Sequence, residues 1–366
     1  MTSAPPRTER RVLPGLADGV WKLAAAIATP VLPTEYLDMV APLRSGAELR
    51  GRVVAVHPET ADAATLVIRP GRSWRAHVPG QYIRIGIDID GVRHWRAYSL
   101  TSRVGAPDGT ISITPKAIPG GLVSNHLVHR VGPGTLVFLD QAIGDFTMPT
   151  PTPRKVLMIT GGSGITPVMG MLRNLPRRGG SDLVLLHSAP RPQDVLFASE
   201  LAGRAAAGQL RLSVRHTDTD GLLNLADLDH EVPDWRERQA WVCGPTGLLD
   251  AAELHWAAAE LTHALHVERF RPTIVEPGEG GEITLVNSAL TIDADGATPI
   301  LDAAEDAGVL MKSGCRMGIC FGCVVTMTGG AVRDLRTGEI TRAEPGDELP
   351  IQACINAVAG ACDVAV

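Results

Sequence analysis

The chain of 366 residues carries no internal repeat and no low-complexity tract, so it is neither a solenoid nor a disordered linker protein. It has no excess of positive charge: 34 Lys+Arg stand against 40 Asp+Glu, a net of −6, which gives no support for nucleic-acid binding. It lacks the G-x-G-x-x-G of a dinucleotide fold and the lysine of a phosphate-binding P-loop. Its cysteines do not form the two short-spaced pairs of a zinc site. No apolar run is long and unbroken enough to span a bilayer.

What is present is unevenly placed. Three of the six cysteines fall within "SGCRMGICFGC", and a fourth follows thirty residues on. Cys315, Cys320, Cys323 and Cys354 read C-x4-C-x2-C-x30-C, the plant-type spacing for a 2Fe–2S cluster. Glycines between the ligands let a loop wrap closely and aim backbone N–H groups at sulfur. Thiolate ligands imply a reducing, cytoplasmic compartment, and no disulfide framework is required. From Glu282 onward, twelve acidic residues face five basic ones, so this segment carries −7 and the remainder +1. An acidic module beside a near-neutral body suits a basic partner surface.

The length predicts several domains. Residues 1–46 form an N-terminal arm, partly helical. Arg10 and Arg11 before an Ala-rich run faintly resemble a twin-arginine signal, yet Asp18 and Lys22 interrupt the run and Pro30 and Pro33 end it. Two readings stay open: a helix packing Trp21, Leu23 and Ile27 on the first domain, or a surface touching a membrane or a membrane-bound partner. Residues 47–150 read as short strands separated by Pro and Gly, an antiparallel β-barrel. From "KVLMIT" onward, apolar strands alternate with helical stretches, so residues 151–272 predict an α/β, doubly wound parallel sheet. Residues 273–281 are a Pro/Gly/Glu-rich linker, and residues 282–366 a small α+β unit.

"RAYSL" ends a barrel strand, and "GGLVSNHL" steps from glycine into a helix start, where unpaired N–H groups favour phosphate. Arg96, Tyr98, Gly121 and Ser124 together fit a flavin nucleotide, FAD rather than FMN because the helix start suits a pyrophosphate. "TGGSGITP" follows the first strand of the second domain, at the carboxyl edge where a pyrophosphate can approach the backbone. "VCGP" ends a later strand and faces the same crevice, where Cys243 reads on its own as a buried small hydrophobe. Beyond "DLVLLHSA", Ser188, Arg191 and Arg215 are placed to read a nucleotide 2′-phosphate, which favours NADPH over NADH.

In this order, "RAYS", "GGLVSNHL", "GGSGITP", "CGP" and "ERF" resemble the ferredoxin–NADP reductase superfamily, and the cysteine pattern resembles the fused C-terminal ferredoxin of bacterial oxygenase reductases. The resemblance covers about residues 47–366 and implies a β-grasp fold for the last domain. It implies that Arg96 pairs with flavin phosphate, Tyr98 stacks on the isoalloxazine and Ser99 bonds near its N5. Lys116 joins the flavin side, and Gly121 and Ser124 hold the pyrophosphate. Gly161, Gly162, Gly164 and Thr166 cradle the pyridine nucleotide, Cys243 lies near the hydride-donating carbon, and Phe270 sits near the flavin. The implied catalytic set is Tyr98, Ser99 and Cys243.

The implied activity is an NAD(P)H-dependent reductase that takes hydride at the flavin and passes electrons singly through the cluster to a partner protein. An arm on such a fusion looks like the reductases that serve membrane-bound bacterial fatty-acyl desaturases, and the chain is expected to be a monomer. Alkane, aromatic-ring and P450 monooxygenases are alternative acceptors. A flavin enzyme reducing a small molecule directly, or a carrier module alone, are readings of another class.

Overall fold

The computed structural model describes residues 37, 40–176, 180–270, 278–313, 316, 318, 321–344 and 346–366. The expectations for Arg10, Arg11, Trp21, Leu23 and Ile27 lie outside the described residues.

The first module is built from β1 (Arg50–Thr60), β2 (Ala63–Pro70), β3 (Tyr82–Ile89), β4 (Val92–Ser99), β5 (Ile111–Ile113) and β6 (Leu136–Leu139). Its sheet runs β4-β3-β6-β1-β2-β5, with each pair antiparallel. A bridge between Leu100 and Ile113 joins the two ends, so the sheet closes into a barrel with no open edge there. Alternation fills it: Val53, Leu66, Ile68, Ile83, Ile85 and Ile113 are buried and form one core. β5 is shorter than "GTISITPKAI" suggests, because Pro115 has no N–H to continue the ladder. A single helix, α1 (Leu122–His129), caps this module.

The second module alternates strand and helix: β7 (Lys155–Gly161), α2 (Ile165–Asn174), β8 (Asp182–Ala189), α3 (Ala198–Ala206), β9 (Arg211–His216), β10 (Gln239–Cys243), α4 (Thr246–Ala258) and β11 (Leu265–Glu268). The order β11-β10-β7-β8-β9 is parallel throughout. Apolar clusters cover both faces, which explains why "KVLMIT" and "DLVLLHSA" are almost continuously hydrophobic. Arg173 Nη1 donates to the Thr101 carbonyl (2.7 Å) and Asn174 Nδ2 to that of Ser102 (3.1 Å), tying α2 to the barrel.

The third module holds β12 (Gly278–Leu285), β13 (Leu290–Gly296), α5 (Ile300–Asp306), β14 (Val324–Asp334), β15 (Ile340–Ala343), β16 (Leu349–Gln352) and β17 (Asn356–Ala365). The sheet order is β13-β12-β17-β14-β15, with β16 on β14. β12 starts inside the stretch read as linker. Gly281 makes that possible: it passes so close to β17 that an added Cβ would lie 2.0 Å from the Gly360 carbonyl. Among the described residues, no helix is long and apolar enough to cross a membrane.

Candidate active site

The three modules meet at a cavity of about 560 Å³. The barrel supplies Arg96, Tyr98, Ser99, Lys116 and Ile118; the parallel sheet supplies Ser163, Thr166, Glu268 and Phe270; the C-terminal module supplies Asp302, Arg316 and Cys354. The first and last strands to reach it arrive by plain topology. β4 ends there with Ser99, and the parallel strands present their carboxyl ends, where open α/β sheets bind ligands.

On the barrel wall, Arg96 Nη1 donates to the Trp95 carbonyl (2.8 Å). Burial lowers the pKa of Arg96, and the charge of Arg316 adds to the effect. Burial pushes the Tyr98 phenol well above its usual range. Ser99 Oγ is buried without a hydrogen-bond partner. Such an orphan on the wall of a cavity needs a ligand group or water to satisfy it, which fits a flavin. Lys116 Nζ is held by both carboxylate oxygens of Asp62, at 2.5 and 2.6 Å. Gly121 and Ser124 lie beyond the wall. Ser124 Oγ accepts from Ile118 N and donates to the Gly121 carbonyl (3.3 Å each), so it staples the turn before α1.

On the nucleotide side the three glycines separate by role. Gly162 has φ +53° and nothing within 4 Å of a Cβ position, so it is the open one. At Gly164 a Cβ would lie 2.1 Å from the Cys243 carbonyl. Only glycine lets the "GGSG" turn close on the "CGP" turn. Gly161 likewise faces Pro245. Thr166 Oγ1 donates to the Ser163 carbonyl (2.9 Å) at the start of α2. Cys243 is fully buried behind this contact and does not line the cavity. Burial, with the Glu268 charge second, raises its thiol pKa well above the usual value, so the thiol stays protonated.

Gly161, Ser188 and Arg215 stand in register across β7, β8 and β9. Two of the expected 2′-phosphate residues, Ser188 and Arg215, lie in this row, and Arg191 follows the end of β8 by two residues. Both arginines there are already paired: Arg191 Nε with Asp194 Oδ2 (2.8 Å), and Arg215 Nη2 with Glu231 Oε1 (2.9 Å).

Sequence reasoning gave the weight of "ERF" to Phe270 and passed over Glu268. Glu268 lines the cavity, and burial raises its carboxyl to a pKa of about 8. Its Oε2 is buried without a partner. The available signal was its place at the end of a strand neighbouring "VCGP". Ser163, Asp302 and Arg316 were also missed, since they reach the cavity only when separate modules fold together.

Cys315 and Cys320 lie outside the described residues. Cys323 and Cys354 are both buried, and Ala353 N donates to the Cys323 carbonyl (3.0 Å), which brings the third and fourth thiols of the pattern to one place. Four thiolates at this sequence spacing are a donor set for iron–sulfur chemistry.

A parallel nucleotide sheet, a barrel wall with an orphaned hydroxyl and a thiol-rich module on one cavity define a flavin- and iron–sulfur-dependent oxidoreductase driven by a pyridine nucleotide. Family models agree module by module: an oxidoreductase FAD-binding domain over residues 61–148, an oxidoreductase NAD-binding domain over 158–253, and a 2Fe-2S iron-sulfur cluster binding domain over 283–359. An NADPH oxidoreductase of Mycobacterium tuberculosis (strain ATCC 25618 / H37Rv) is 49% identical over 347 residues, 93% of this chain and 90% of that protein. The glycine betaine monooxygenase reductase subunit of Chromohalobacter salexigens is 30% identical over 310 residues, 75% of this chain and 84% of that protein. The structure of phthalate dioxygenase reductase shares the fold, with a TM-score of 0.58 at 18% identity over 87% of this chain and 97% of that one. The chain belongs to the ferredoxin–NADP reductase superfamily, in the branch fused to a C-terminal 2Fe–2S ferredoxin domain. It is an NAD(P)H-dependent oxidoreductase that uses FAD and a 2Fe–2S cluster.

Proposed function

We propose that the chain draws electrons from NADPH and delivers them one at a time to a partner iron oxygenase. The carrying observation is Cys354, an expected cluster ligand, in the same cavity wall as Tyr98 and Ser99. A route from flavin to cluster is needed only when the acceptor takes single electrons. FAD, when bound, accepts a hydride's two electrons and can release them singly.

The chain's own residues set the geometry. Arg96 anchors the flavin phosphate, Tyr98 covers the ring and Ser99 offers its unpartnered hydroxyl to it. Gly121 and Ser124 shape the turn for the pyrophosphate. Lys116, fixed by Asp62, borders the ring. Gly162, Ser163 and Thr166 would admit the pyridine nucleotide, and Phe270 would border it from the same cavity wall. Cys243 acts as an uncharged wall behind the "GGSG" turn and not as a nucleophile. Glu268, neutral at pH 7, would hold a proton on the cavity wall beside the bound groups. Cys315, Cys320, Cys323 and Cys354 hold the cluster.

The NADPH preference is supported by Ser188 and Arg215 in register at the ends of β8 and β9, by Arg191 just beyond β8, and by the name of the 49%-identical relative. The oxygenase acceptor is supported by relatives named as monooxygenase reductase components. A fatty-acyl desaturase is the narrower reading. It rests on the arm, residues 1–46, which also carries the proposed membrane contact of a cytoplasmic monomer.

Reconstitution tests the reading. With NADPH and this chain, a mononuclear-iron oxygenase or a desaturase should turn over, and cytochrome c should be reduced. Reduction of small-molecule acceptors alone, with every protein acceptor left oxidised, would overturn it.

A further inference from the structure

The ferredoxin module contributes a polar group of its own to the flavin cavity. Arg316 lines the same cavity as Arg96 and sits at φ +58°, a left-handed conformation that costs a non-glycine residue about 1 kcal/mol or more. It is held there from α5. Nη1 bonds Asp302 Oδ1 (2.6 Å) and Nη2 bonds Glu305 Oε2 (2.6 Å). These pairs set two carboxylates against one guanidinium and fix its fork. Its Nε, by contrast, is buried and has no hydrogen-bond partner. A strained backbone, two carboxylates spent on orientation and one unused donor are what a preorganised ligand contact requires.

The rest of the ferredoxin wall repeats the point. Pro299, Asp302, Leu335 and Cys354 face the same cavity. The barrel and the nucleotide module are tied directly by Arg173 and Asn174, and the ferredoxin module lines the same space from its own side. A ligand filling the space touches all three modules at once. Whatever binds only the docked arrangement stabilises docking by linkage, and docking in turn tightens its binding by the same factor.

We propose that Arg316 is a flavin contact supplied by the ferredoxin module, with Asp302 and Glu305 as its positioning residues, so that FAD occupancy and docking of this module are one linked equilibrium. The chain then assembles its electron route only when the flavin is in place. A flavin-free molecule keeps its cluster on an undocked module, where it cannot accept electrons from the nucleotide side.

Two measurements on the full chain decide this. The first compares amide hydrogen exchange of wild-type protein before and after flavin stripping, with FAD and cluster content read from the visible spectrum. Exchange across α5 should quicken without FAD and slow again when FAD is restored; exchange in α5 that ignores FAD overturns the linkage. The second is the FAD dissociation constant of Arg316→Gln, measured by fluorescence, which should rise roughly tenfold for one lost donor. Because Arg316 adjoins Cys315, the double variant Asp302→Asn/Glu305→Gln is measured beside it; this variant frees the arginine without touching the cysteine loop and should weaken FAD in the same direction. Affinities within twofold of wild type in both variants overturn the role of Arg316. A chain that takes up no FAD at all would instead refute the flavin assignment itself.

Discussion

Cys243 and Glu268 stand opposite each other at the carboxyl ends of neighbouring parallel strands, β10 and β11. Burial raises both pKa values, so at neutral pH this corner holds a thiol and a carboxylic acid, both uncharged. Glu268 lines the cavity and Cys243 lies behind it, so neither adds charge there at neutral pH.

The first prediction follows from Glu268. Its folded pKa of about 8 lies above the ordinary carboxyl value of 4.5. Between those values the folded chain binds a proton that the unfolded chain has released, so stability falls as pH rises from about 4.5 to 8 and then levels off. In the flavin-free protein, the thermal midpoint should decline over that window, and Glu268→Gln should flatten the decline. A variant whose pH profile matches wild type would remove Glu268 as the cause.

The cluster gives the second prediction. Cys323→Ser should abolish the iron–sulfur absorbance and the reduction of cytochrome c. Ferricyanide, which can draw on the flavin, should still be reduced. If flavin content and ferricyanide reduction vanish together with the cluster, the modules are not separable in the way the three cores imply.

Arg96 gives the third. Arg96→Ala should lose flavin while the visible cluster bands persist, and the flavin released from wild type should have the mass of FAD. Undiminished flavin in the variant would show that Arg96 does not anchor it.

The nucleotide side gives the fourth. Arg191 is more than half exposed and already shares its fork with Asp194. As a 2′-phosphate contact it would be a shared, solvent-facing donor, worth about 1 kcal/mol, or roughly fivefold. Arg191→Ala should raise KM for NADPH by that factor and leave KM for NADH unchanged. Equal changes for both nucleotides would locate the discriminating residues elsewhere.

The parts of this site that were legible in the sequence are those whose chemistry is local. Cluster ligation demands a spacing, and the spacing of Cys315, Cys320, Cys323 and Cys354 can be read without a fold. The barrel and the parallel sheet were legible because strands buried on one face or two carry different hydrophobic rhythms. What stayed hidden depends on contacts distant in sequence or on exact turn geometry. Asp194 follows Arg191 by three residues, yet only the short turn between them brings the carboxylate onto the guanidinium. Gly164 reads as a phosphate-cradling glycine, and its nearest neighbour is instead the backbone of Cys243, 79 positions away. Arg316 belongs to the cysteine loop by sequence, but its carboxylate partners lie on α5 and it lines the same cavity as the barrel's Arg96.

The central claim is that electrons entering as a pair leave singly through the cluster beside Cys354. Anaerobic rapid mixing with NADPH, followed by absorbance and by electron paramagnetic resonance of frozen samples, tests it most directly. The account predicts that flavin absorbance falls first and that a reduced-cluster signal then grows towards one spin per chain. Full bleaching of the flavin with the cluster left oxidised would contradict it.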